Sequence, residues 1–189
     1  MTVSGWPVVF AVVAVVNPPR LAPALPGRGR PLRERLEPTV LGGIAASVVL
    51  IALAAAGEAV ADLLSVSAPT LRVAAGLVVL LGAARDVLGG PPAAEPALSG
   101  RRAALVPVAV PFVLRPDLGL LVVSAGADGR VGLTVGAVVV AVATLVGAGA
   151  IAGSDEGGGR QMWAWAAACL HGVAVLSGVT LAVSGVLSV

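Results

Sequence analysis

Six apolar runs constrain this 189-residue chain more than any other feature, and four of them hold no charged side chain. The uncharged runs are Met1–Pro19, Thr39–Gly57, Val131–Ser154 and Gln161–Val189. Leu63–Ala84 is interrupted by Arg72, and Ala103–Ala127 by Arg115 and Asp117. A membrane-spanning helix needs about 20 predominantly apolar residues, so the length accommodates six spans with short connections. Composition agrees: 58% of residues are hydrophobic, 12% are charged, and mean hydropathy is +1.01. A soluble domain carries roughly 25% charged residues, about twice what this chain offers to water. A disordered chain, a disulfide module and a nucleic-acid binder are excluded on the same grounds; Cys169 has no second cysteine to pair with. The expected fold is an all-α, polytopic membrane protein forming one transmembrane domain over residues 1–189.

The first run lacks the basic n-region of a signal peptide, because no arginine precedes Arg20. It ends in Asn17-Pro18-Pro19 rather than a small-x-small cleavage site, and reads as a retained helix. The loop arginines set the orientation. Arg28, Arg30, Arg33 and Arg35 follow the first run, Arg85, Arg101 and Arg102 follow the third, and Arg160 follows the fifth. The opposite loops carry Arg130, with Arg72 near their edge, beside Glu58, Asp62 and Asp128. Arginine-rich loops face the cytoplasm, which predicts a multi-pass plasma-membrane protein with both termini outside. Trp163 and Trp165 then fall at the inner interface and Trp6 near the outer one.

The chain also resembles itself. Val13-Ala14-Val15-Val16-Asn17-Pro18-Pro19-Arg20-Leu21 matches Val108-Ala109-Val110-Pro111-Phe112-Val113-Leu114-Arg115-Pro116-Asp117-Leu118, with Pro18 and Pro116 at corresponding points beside an arginine. Ala75-Gly76-Leu77-Val78-Val79-Leu80-Leu81-Gly82 has a counterpart in Ser177-Gly178-Val179-Thr180-Leu181-Ala182-Val183-Ser184. Two units of three helices, about 1–90 and 101–189, must be inverted relative to each other because each crosses an odd number of times. Inverted repeats with broken helices near the midplane are the plan of many secondary transporters. Proline breaks or kinks a helix, which predicts broken first and fourth helices; Pro107, Pro111 and Pro116 reinforce the second break.

An ionised side chain inside the bilayer costs about 2.5–3.5 kcal/mol on insertion scales and finds a partner within the bundle. Arg115 and Asp117 lie in the fourth run at i,i+2, a spacing that does not bring side chains together on a regular helix. The expected partner of Asp117 is Arg20, beside the corresponding break. The candidate substrate site is therefore Asn17, Pro18, Arg20, Arg115, Pro116 and Asp117.

At these residues the chain resembles the MarC family of six-helix bacterial inner-membrane proteins. Asn17-Pro18-Pro19-Arg20 is similar to the Asn-Pro-x-Gly-type motif closing that family's first helix. Val106-Pro107-Val108-Ala109-Val110-Pro111 and Arg115-Pro116-Asp117 are similar to the Gly-Pro-Gly-type break in its fourth. Ala68–Gly76 resembles its arginine-containing segment before an apolar helix. The resemblance spans about Val8 to Gly185. It implies, through the family's grouping with LysE-type exporters, a small-molecule exporter of the inner membrane. Arg20, Arg115 and Asp117 stand where the family favours glycine, so charge here fills space that glycine leaves open.

Other chemistry finds little support. His171, the single histidine, lies near Cys169 without a carboxylate close in sequence, which does not make a metal site. Gly157-Gly158-Gly159 lacks the Lys-Ser/Thr of a phosphate loop. Gly132-xxx-Gly136 and Gly149-xxx-Gly153 suit close helix packing within the bundle or in a homo-oligomer. No catalytic residue, metal or cofactor is expected, and the expected partners are the lipid bilayer and a small solute. Two functions are open: a secondary transporter with its site between the breaks, or a non-transporting membrane component acting through helix packing. A wet polar pocket at Asn17, Arg20 and Asp117 favours the first; a dry, ion-paired plug favours the second.

Overall fold

The computed structural model describes residues 6–21, 31–89, 114–152 and 159–189. Arg28, Arg30, Arg101, Arg102, Pro107, Pro111, Gly153, Gly157 and Gly158 lie outside them, as do the side chains of Trp6, Arg35 and Arg160. Of the described residues 89% are helical and none forms a strand. The elements are α1 (Trp6–Val16), α2 (Pro18–Leu21), α3 (Leu32–Ala55), α4 (Gly57–Leu64), α5 (Ala68–Leu88), α6 (Pro116–Ala127), α7 (Val131–Ala152) and α8 (Gly159–Val186).

Three helices are long and apolar enough to cross a membrane: Leu36–Ala55, Val131–Ile151 and Gln161–Val186, with hydropathies of 2.1, 2.3 and 1.9. Much of their surface is uncovered, and Ile44, Val48, Val139, Leu176 and Val183 stand exposed on it. An exposed apolar surface this extensive suits lipid rather than water. The pair α4 and α5, bent by 103°, is long and apolar enough only when taken together, as a broken span or a re-entrant loop. The sequence suggested one run from Leu63 to Ala84, but the backbone turns at Ser65 (φ 53), where the amides of Ser65 and Val66 bond back to Asp62 and Ala61. That left-handed stop closes a helix in the usual way. The chain then restarts at Ala68, with Ser67 capping Thr70 and Pro69 in the first turn. Helix α5 continues to Leu88, four residues past the expected end, and so carries Asp86 on a helix rather than in a loop.

Helices α1 and α6 are short, 11 and 12 residues, or about 16–18 Å at 1.5 Å per residue. Neither reaches across a hydrocarbon layer of about 30 Å. Both are buried at the centre: Ala11, Val12, Leu118, Leu121 and Val122 are inaccessible or nearly so, and α6 is covered continuously from Leu121 to Gly126. Helix ends with unpaired backbone are tolerated at membrane depth only where protein covers them. Central placement of α1 and α6 satisfies that requirement.

The packing has a pattern. Helix α1 lies against α7 and α8, whereas α6 lies against α3 and α5; α3 also packs on α7, and α5 on α8 most extensively of all. At the α5–α8 crossing a methyl group on Gly76 would lie 2.6 Å from the Gly178 carbonyl oxygen, and one on Gly178 would lie 2.9 Å from the Gly76 carbonyl oxygen. The next neighbours are reciprocal too: Gly76 faces Ala182, and Gly178 faces Leu80. Glycine is required here because the two backbones touch. Gly132 and Gly136, expected to serve close packing within the bundle or in a homo-oligomer, meet nothing within 4 Å among the described residues.

Candidate functional site

The first break is built by Asn17-Pro18. The Asn17 amide closes the last turn of α1 on Val13, after which Asn17 turns left-handed (φ 47). Asparagine tolerates this conformation better than most residues, and proline disfavours a right-handed helical residue before it. Together they stop α1 and let one further turn, α2, start in a new direction. Asn17 is 2% exposed; its amide nitrogen donates to the Ala167 carbonyl of α8 (3.2 Å), while its Oδ1 has no hydrogen-bond partner among the described residues.

The start of α6 follows the same logic. Arg115 precedes a proline and is extended (φ −88, ψ 148), Pro116 opens α6, and Asp117 occupies the first turn. Because Arg115 lies outside the helix, the i,i+2 restriction does not apply. Its guanidinium folds back over the first turn onto Asp117, with Nε–Oδ1 at 3.1 Å and Nη2–Oδ2 at 2.7 Å. Asp117 also accepts from the Leu118 amide (2.9 Å). A carboxylate at a helix N-terminus is stabilised by the exposed amides and the helix dipole.

The two breaks meet through a residue that the sequence left unremarked. Asp86, in the last turn of α5, accepts from Arg20 Nη1 at 2.5 Å and from Arg115 Nη1 at 2.6 Å, both on Oδ2. Arg20 and Asp117, expected to pair directly, are instead joined in the order Arg20–Asp86–Arg115–Asp117. The side chains are 5–19% exposed and the four formal charges cancel. Gly82, one turn before Asp86, makes room: a methyl group there would collide with Asp117 Oδ2 and press on Arg115. His171 of α8 completes the surroundings, with Nε2 3.9 Å from Asp86 Oδ2 and no hydrogen bond among the described residues.

Of the expected site residues, Asn17, Arg20, Arg115 and Asp117 thus come together around Asp86 and His171. Pro18 is buried behind Asn17 and shapes the break, whereas Pro116 is exposed and faces away. Asp86 escaped notice because it follows Arg85 at the edge of a run and looks like a loop acid. Its i,i+4 spacing from Gly82 was the available signal.

A second ion pair closes the opposite end. Arg72 of α5 grips Asp128 in bidentate fashion, Nη2–Oδ1 2.6 Å and Nε–Oδ2 3.1 Å. Beside it lies a cleft of about 30 Å³ lined by Pro7, Val8, Arg72, Ser124, Asp128 and Ser184, room for about two water molecules. Among the described residues no group of three histidine, cysteine or acidic side chains could hold a metal ion. Compared with protein-family models, with characterised proteins and with solved structures, the chain matches none.

Proposed function

We propose that this chain is a secondary transporter of small solutes, an exporter of the bacterial plasma membrane related to the MarC proteins. Six spans form two inverted repeats in this reading, and both termini lie outside. The observation that carries it is the meeting of the α1–α2 break with the start of α6 around Arg20, Asp86, Arg115 and Asp117. Charges are retained inside a membrane bundle where they serve a path for ions or solutes, and broken helices supply the backbone groups and dipoles that such paths use. Three features favour the inverted repeat. The broken helices exchange partners, α1 lying on the second unit and α6 on the first. Glycines aligned in sequence, Gly76 and Gly178, contact each other reciprocally, as equivalent residues do across a two-fold axis. Each unit's two long helices also pack on their counterparts, α3 on α7 and α5 on α8.

The ion-paired clusters act as closures in this proposal. The four-residue cluster seals the half of the bundle near the arginine-rich loops, and Arg72–Asp128 narrows the other. One observation favours the alternative, a non-transporting membrane component: the four charges satisfy one another without a ligand. Flux separates the two. Purified protein in proteoliposomes should move at least one solute among panels of amino acids, sugars, inorganic ions and cationic drugs, and the same solute should raise its melting temperature. Neither flux nor stabilisation across the panels would overturn transport.

A further inference from the structure

Beyond the charged cluster, three buried polar atoms find no hydrogen-bond partner among the described residues: Asn17 Oδ1, Trp163 Nε1 and His171 Nε2. They are not scattered. Trp163, Ala167 and His171 are spaced i, i+4, i+8 and so share one stripe of α8, and Asn17 is bound to Ala167 in the middle of it. The stripe spans about 12 Å at 1.5 Å per residue. It starts one turn into α8, near the arginine-rich loops, and ends at Asp86. Asn17 is almost wholly buried, and an amide oxygen in that position costs free energy unless something donates to it. Buried polar groups lacking protein partners are commonly met by internal water making about three hydrogen bonds each.

The far end of the stripe is chemically distinctive. Asp86 Oδ2 already accepts from two guanidinium groups, and His171 Nε2 stands 3.9 Å from the same oxygen. Neutral imidazole adds no charge there, and the cluster is balanced at two cations and two anions. The charged groups facing His171 are Asp86 of α5, Arg20 of α2 and Arg115 before α6, with Asp117 behind Arg115. Were Nε2 protonated, three cations would compete for one carboxylate oxygen and the balance would become +1.

We infer that His171 is a proton-binding site, reached along the Trp163–Asn17–His171 stripe, and that protonation unlocks the charged cluster. A proton passes from hydronium onto Nε2, so that one O–H bond breaks, one N–H bond forms and neutral water is released; the new imidazolium then takes Asp86 Oδ2 from Arg20. Arg20 sits on the single turn α2 beyond the break, so it is the more easily displaced partner; Arg115 remains held by Asp117. This assignment rests on the transporter reading for its use, supplying that site with its coupling ion, but not for its test.

The test exploits the single histidine of the chain. Protein labelled with ¹⁵N-histidine and held in nanodiscs gives one imidazole, whose protonation is read by NMR between pH 4.5 and 9. In parallel, Ala83→Cys in a Cys169→Ala background places a thiol on the buried face of α5 beside the cluster. The inference expects one reversible titration whose midpoint falls when Asp86→Asn removes the nearby anion. It expects labelling of the new thiol by a membrane-impermeant reagent to quicken about tenfold across that midpoint, a population shift within reach of one protonation. His171→Gln should make labelling independent of pH. An imidazole that stays neutral throughout, a midpoint indifferent to Asp86→Asn, or pH-dependent labelling that survives His171→Gln would each overturn it. Flux in proteoliposomes is scored separately. Titration and unlocking without flux would sink the transporter reading and leave the proton site standing, whereas flux without titration would do the reverse.

Discussion

Asp86 bears the most weight of any single residue, since one carboxylate oxygen serves both Arg20 and Arg115. Removing one partner of a buried ion pair costs about 3–5 kcal/mol, because the other charge is left uncompensated. Asp86→Asn should therefore lower the melting temperature in detergent markedly. Arg20→Gln alone should also destabilise, leaving two carboxylates to one guanidinium. The double variant retains only the neutral Arg115–Asp117 pair and should recover much of the loss. Additive effects in that cycle would show that Arg20 and Asp86 act independently. Asn17 offers a second check. Asn17→Gly keeps the left-handed turn and loses the bond to Ala167, whereas Asn17→Ala adds about 1–2 kcal/mol of backbone strain. Alanine should thus be the worse replacement in a thermal melt, and equal melting of the two would refute the role of the turn.

Helix α8 shows what packing adds at the scale of an element. Its apolar residues run nearly all the way round, as expected for a helix facing lipid on one side and protein on the other. What fixes its position is the close approach of Gly178 to Gly76. Gly178→Leu must push the backbones apart, and overpacking of this kind costs about 1–3 kcal/mol. Because Asn17 and Asp86 face α8 from α1 and α5, the displacement should also loosen the cluster. The expected outcome is a lower melting temperature together with faster labelling at Ala83→Cys. Gly136→Leu on α7, where nothing among the described residues faces the position, should be nearly neutral in the same assays. A Gly136→Leu variant as damaging as Gly178→Leu would place an unseen neighbour, such as a second copy of the chain, on that face.

For the whole molecule the strongest prediction concerns topology. Six spans with both termini outside require that cysteines introduced near position 60 and at Gly129 react with an impermeant reagent added to intact cells. Cysteines at residues 28 and 95 should react only after the membrane is opened. Any mixed outcome within one group would refute the inverted arrangement. Neutralising Arg72 and Asp128 together, at the other end of α5, should leave the melt less affected than Asp86→Asn, since a balanced pair is lost rather than a single charge.

The sequence by itself determined the class of fold, because hydropathy, charge scarcity and proline placement are local properties that the bilayer reads directly. It also marked Asn17, Arg20, Arg115 and Asp117, since charge and broken backbone inside apolar runs are costly wherever they fall. It misjudged the partners. The i,i+2 spacing of Arg115 and Asp117 argued against contact only while Arg115 was assumed to be helical, and Pro116 removes that assumption by holding Arg115 extended. Asp86 and His171 became meaningful only once α5 ran on to Leu88 and crossed α8 at the paired glycines. Which charges meet depends on helix ends and crossing points far apart in the chain, Gly76 and Gly178 being 102 residues apart. Those are set by backbone packing, and no local pattern of residues encodes them.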